Sequence, residues 1–174
     1  MINFESHTKI NEEVYHSSSN LLFLEKKDIN NLIEIAKLNK RKRARLCSHL
    51  NSDEVIQEMI IVHPRGAYVR PHKHINKIES MMILEGEVDF ILFNENGKIK
   101  DKVEMGDYSS GKAFYDSVRE STFHSLHIKS DWLVFLEITK GPFKKDDTIF
   151  ASWSPVESNF KDVELFMKKV LEEV

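Results

Sequence analysis

From about Val55 to Ile138 the chain is written in short β-rich runs, each broken before it reaches helix length. Met59–Val62, Tyr68–Pro71, Ser80–Leu84, Val88–Phe93, Phe123–Ile128 and Trp132–Ile138 favour branched and aromatic side chains, which suit a half-buried pleated surface. Asn94-Glu95-Asn96-Gly97 reads as a hairpin turn, and Gly66, Gly86 and Gly106 punctuate other turns. Many short strands at close spacing bury their apolar faces as a sandwich or barrel.

Helical patterning flanks this region. Ile29, Leu32, Ile33 and Ala36 recur at helical spacing, with Asp28 as the expected N-cap of a helix running to Leu38. Val163, Phe166, Met167, Val170 and Leu171 make a one-sided apolar stripe near the C-terminus. The expected organisation is an N-terminal segment over 1–54 with one helix packed on a barrel over 55–155, then a C-terminal helix over 156–174. All three form one structural domain, a size that 174 residues fit.

Charge and composition narrow the partners. The net charge is −3 and the only basic run, Lys40 to Arg45, lacks interleaved aromatics, so nucleic acid is not expected. A solvated helix end, where cations complement the helix dipole, is the plainer reading of that run. No stretch approaches the roughly 20 apolar residues of a membrane span, and Met1 to Ile10 carry charges and no apolar core of a signal peptide. The single cysteine, Cys47, excludes an intrachain disulfide and reads as a small apolar residue. A cytoplasmic protein, forming a homodimer and binding a small molecule, is the expectation.

The chemistry concentrates in Gly66 to Gly86. His72 and His74 are two residues apart and point to one face of a strand, with Tyr68 and Arg70 sharing that parity. Glu79 opens the next strand, and two imidazoles with one carboxylate suit a divalent metal ion with open coordination positions. In Phe123–Ile128, His124 alternates with Leu126 and Ile128 on the inward face, which leaves His127 outside. His124 is thus the fourth expected ligand. His7 and His16 are expected in solvent, and His63, before Pro64, at the surface.

Other polar residues have assigned expectations. Arg70, inward by parity, needs a carboxylate or a ligand. Arg43, Arg45 and His49 are further candidates to contact a substrate, and Tyr68 is the candidate acid or base. Glu137 lies off the Val134/Leu136 face and is expected to pair with a basic residue such as Lys140. Phe150 and Trp153 are expected to pack a returning C-terminal segment over the barrel.

The spacing Gly66-x5-His72-x-His74-x4-Glu79-x6-Gly86 resembles the first cupin motif without deviation. The second motif is matched poorly: Gly106 and His124 can be placed, but Arg119 and Ser121 stand where Pro and Gly are usual, and Ile128 replaces Asn. Arg43-Ala44-Arg45-Leu46-Cys47-Ser48-His49, Tyr68-Val69-Arg70-Pro71-His72-Lys73-His74, Glu137-x3-Gly141-Pro142 and Phe150-Ala151-Ser152-Trp153-Ser154-Pro155 together resemble WbuC-type cupin-fold metalloproteins over about Asp28 to Val156. The resemblance implies a mainly β cupin fold, a jelly-roll barrel or double-stranded β-helix with flanking α-helices. It also implies one divalent ion (Fe, Mn, Ni or Zn) and a setting among bacterial surface-polysaccharide (O-antigen) genes. It implies no particular reaction. An isomerase, epimerase or oxygenase acting on a sugar or sugar nucleotide is the first expectation, and a non-catalytic ligand-binding module the second.

Overall fold

The computed structural model describes residues 7–173; the expectation about the extreme N-terminus rests partly on residues 1–6, which lie outside them. The elements run β1 (His7–Lys9), β2 (Val14–Ser17), α1 (Lys26–Leu38), β3 (Ala44–Cys47), β4 (Ile56–Pro64), β5 (His72–His74), β6 (Glu79–Glu85) and β7 (Glu87–Phe93). They continue with β8 (Ile99–Gly106), β9 (Tyr115–Val118), β10 (Phe123–Ile128), β11 (Trp132–Lys140), β12 (Thr148–Phe150) and α2 (Phe160–Glu172).

Two sheets face each other. The larger has seven strands in the order β1-β2-β3-β4-β11-β6-β9, the smaller five in the order β12-β5-β10-β7-β8. All pairings are antiparallel except β2 with β3. The period of two sorts each strand. Met59 and Ile61 of β4, Met81 and Ile83 of β6, Val88 and Phe90 of β7, Leu126 and Ile128 of β10, and Leu133 and Phe135 of β11 fill the space between the sheets. The opposite faces carry two smaller cores. Leu32 and Ala36 of α1 pack on Leu46, Val62 and Val134. Val170 and Phe166 of α2, with Trp153, pack on Ile91, Phe93 and Phe123. The Trp153 packing agrees with the expected returning segment, whereas Phe150 is half exposed.

Several boundaries differ from the sequence reading. The helix begins at Lys26, with Glu25 as N-cap. Asp28 stands at the third helical position, where its carboxylate accepts from the Glu25 N–H at 2.9 Å, so the side chain reaches back to the cap from inside the helix. The basic run is no helix end: α1 stops at Leu38 and Ala44–Cys47 is a strand paired with β4. Tyr68 to Pro71 lies outside any strand, and only His72–His74 forms strand. Gly86, at φ +97°, links β6 to β7, and a Cβ there would strike Ser130 Oγ and Trp132 O.

Candidate metal centre

Three imidazoles converge from the smaller sheet. His72 of β5 lies directly opposite His124 of β10, and His74 opposite Thr148 of β12. The ring centroids of His72 stand 5.0 Å from His74 and 4.6 Å from His124, and one nitrogen of each ring lies within 4.8 Å of the others. Glu79 reaches the same point from β6. That strand belongs to the facing sheet, so the carboxylate crosses the barrel instead of coming from a neighbouring strand. Glu79 Oε2 is 2.8 Å from His74 Nε2, and Oε1 is 3.7 Å from His124 Nε2.

The outer ring nitrogens are engaged. Nδ1 of His72 is 2.8 Å from the Arg70 carbonyl, Nδ1 of His124 is 3.0 Å from the Thr122 carbonyl, and Nδ1 of His74 is 3.1 Å from Thr148 Oγ1. Donation from Nδ1 leaves the Nε2 lone pairs bare and fixes each ring. Nε2 of His74 and of His124 are buried and make no hydrogen bond. Buried nitrogens seldom stay unpaired, and these face a carboxylate, so the donor set fits a divalent cation. Burial lowers the basicity of His72 to a pKa of about 4, reinforced by the charge of His124, and burial likewise lowers His124. Burial pushes the Glu79 carboxyl up, but His74, His124 and His72 outweigh it and bring it to about 2.

These groups line a cavity of about 390 Å³, within the usual range for small-molecule sites. Arg41, Arg43, Arg45, Arg70 and Lys77 share its walls. Their commitments differ. Arg43 Nη2 donates to both Glu157 oxygens at 2.9 Å. Arg70 donates from Nε to Ser154 Oγ at 3.1 Å and from Nη2 to the Ala151 and Ser154 carbonyls at 3.2 Å. Tyr68 Oη donates to the Pro155 carbonyl at 3.1 Å, and burial pushes its phenol up to about 12. Arg45 forms no ion pair among the described residues; its Nη1 lies 3.9 Å from Met59 Sδ. His49 does not line the cavity.

The sequence reading missed three cavity residues. His63 is buried, not superficial: it shares the inward parity of Met59 and Ile61, stacks on Phe135 at 5.7 Å, and is held to a pKa of about 3 by burial and by Arg45 and Arg41. Glu137 faces the cavity between Met59 and Met81, away from the exposed Lys140. Burial, then the charge of Glu79, pushes the Glu137 carboxyl up to about 8, against the pull of Arg45 and Lys77. Phe150, opposite His72, forms part of the wall. The inward parity of Leu133, Phe135 and Glu137 was the available signal for Glu137.

Comparison with known proteins agrees with this architecture. Residues 24–105 match a family described as a domain of unknown function (DUF6016). No curated protein matches the chain. Protein SO0799 from Shewanella oneidensis superposes over 72% of this chain and 78% of its own, with 11% identity and a TM-score of 0.50. Oxalate decarboxylase from Lactobacillus farciminis, as a formate complex, aligns over 56% of this chain at 18% identity and TM-score 0.45. The Bacillus subtilis oxalate decarboxylase, a protein with Mn(II) centres, aligns over 62% at 19% identity and TM-score 0.48. The match spans 27% of the length of each of those two decarboxylases. No helix among the described residues is long and apolar enough to cross a membrane. Two facing, mainly antiparallel sheets and the likeness in fold to SO0799 make this chain a protein of the cupin jelly-roll fold.

Proposed function

We propose that this protein is a metal-dependent cupin enzyme that holds one divalent cation through His72, His74, His124 and Glu79 and acts on a small anionic molecule. The observation that carries the proposal is the pair of buried, unbonded Nε2 atoms on His74 and His124, facing Glu79. Bound there, the ion would supply Lewis-acid polarisation of a carbonyl or water, or, as iron or manganese, a centre for oxygen chemistry. The protein's own groups do the rest. Arg45, which forms no ion pair among the described residues, offers its guanidinium to a phosphate or carboxylate. Glu137 keeps its proton near neutrality in the metal-free protein, and can deliver or accept one inside the cavity. Arg43, Arg70 and Tyr68 hold the C-terminal segment against the barrel and so shape the wall. A sugar phosphate or sugar nucleotide, as in surface-polysaccharide metabolism, is the substrate class we favour.

The test is metal content by plasma mass spectrometry on protein purified without chelators or a histidine tag, beside a His72→Ala/His74→Ala variant. About one equivalent of iron, manganese, nickel or zinc, lost in the variant, is expected at this site. Absence of metal after reconstitution with each ion would end the proposal. A panel of sugar nucleotides, sugar phosphates and small carboxylates then separates catalysis from a receptor. Turnover abolished by chelation marks an enzyme, and tight binding without conversion marks a ligand-binding module.

A further inference from the structure

A second donor cluster lies at the other end of the larger sheet. His16 of β2 is directly opposite Cys47 of β3, and His49 follows two residues later. One nitrogen from each ring and Cys47 Sγ lie within 4.8 Å of one another. Cys47 and His49 are buried, at 2% and 6% exposure, and His16 is half-buried, contrary to its expected place in solvent. The two rings meet edge to face at 4.8 Å.

Both rings are held in place by the main chain. Nδ1 of His16 stands 3.2 Å from the His49 carbonyl, and Nδ1 of His49 stands 3.2 Å from the Glu58 carbonyl and accepts from the Glu58 N–H at 3.2 Å. The His49 carbonyl can only accept, so His16 Nδ1 donates to it, which frees that ring's Nε2 and fixes the ring, the support that metal-bound imidazoles usually have, while Glu58 holds the His49 ring from the main chain. A thiolate with two imidazoles is a soft donor set, suited to zinc and unlike the three imidazoles and carboxylate of the barrel.

We propose that His16, Cys47 and His49 form a second metal site, of the zinc class, with water in the fourth position. The described residues bring no fourth protein donor into the group. The site is separate from the barrel centre. Glu79 on β6 is three strands away from β3 in the sheet order, about 14 Å at the usual strand spacing. None of the three residues lines the barrel cavity. The ion would clip β2, which carries the edge strand β1, to β3 and the turn that follows it. Burial pushes the Cys47 thiol up to about 11, so the incoming cation must displace its proton and loading weakens as the pH falls.

Cobalt supplies the test, because Cys47 is the only cysteine and the barrel ligands contain no sulfur. Metal-stripped full-length protein titrated with Co²⁺ is expected to develop thiolate-to-cobalt charge-transfer absorption, displaced by Zn²⁺. Cys47→Ser should abolish the band, and His16→Ala or His49→Ala should weaken cobalt binding at this site by more than about tenfold. The band should persist in the His72→Ala/His74→Ala variant, so failure of the barrel site leaves the readout intact. Saturating cobalt without a thiolate band, or a band indifferent to both histidine variants, would overturn the proposal.

Discussion

His74 Nε2 stands 2.8 Å from Glu79 Oε2, in ion-pair contact but outside linear hydrogen-bond geometry. Two ligands of one cation would stand this close, and the proposed role makes the carboxylate testable. Glu79→Gln should weaken divalent-ion affinity by at least about tenfold, measured by competition with a chromophoric chelator. The metal-free variant should unfold no earlier than the metal-free parent. Unchanged affinity would remove Glu79 from the ligand set.

Support behind the ligands is also exposed to mutation. Thr148 Oγ1 is 3.1 Å from His74 Nδ1 and is the side-chain partner of that ring nitrogen. Thr148→Val keeps the shape of β12 and deletes the contact. Metal affinity should fall by about ten- to a hundredfold with the fold intact by circular dichroism, and an unaltered affinity would show that Thr148 does not orient His74.

Acid chemistry at Glu137 has a signature in stability. In metal-free protein the folded state keeps this proton up to about pH 8, whereas the ordinary carboxyl value is 4.5. Between those values the folded state binds more protons than the unfolded chain, so its stability falls as the pH rises. Glu137→Gln removes that loss. The difference in melting temperature, variant minus parent, should grow from pH 4.5 to pH 8 in chelated protein. A pH-independent difference would place the carboxyl in a more polar setting than its surroundings suggest.

Two neighbouring arginines should separate binding from folding. Arg43 is clamped on Glu157, with only 11% of its side chain exposed, so Arg43→Met should cost about 1–2 kcal/mol of stability. Arg45 has no carboxylate partner to abandon among the described residues. Arg45→Met should leave chemical denaturation nearly unchanged while abolishing the binding of a small phosphorylated ligand by calorimetry. Retained binding would move the anion site elsewhere in the cavity.

Much of this architecture is legible in the sequence because alternation is a local signal. Phe123–Ile128 coincides with β10, and Trp132–Ile138 lies within β11, because their side chains alternate between two buried faces. The three-residue strands β1, β5 and β12 and the four-residue strands β2, β3 and β9 carry too few residues for a period to be read. Which sheet a strand joins is a long-range matter: nothing local to Glu79 shows that it crosses the barrel. The same holds for Arg70. Its inward parity was readable, but the carbonyls and hydroxyl it meets lie more than 80 residues later. His63 was misjudged because Pro64 suggested a strand end, while its parity with Met59 and Ile61 decides its burial.

The strand that carries His72 and His74 is three residues long and is flanked by β10 and by β12, whose residues 148–150 follow every proposed ligand in the sequence. A nascent chain cut before Thr148 would hold every proposed barrel ligand and lack one flank of the strand that aims two of them. In chain order the flank of this strand therefore follows the whole proposed ligand set, and a molecule clipped before Thr148 would carry the motif without the strand that borders it.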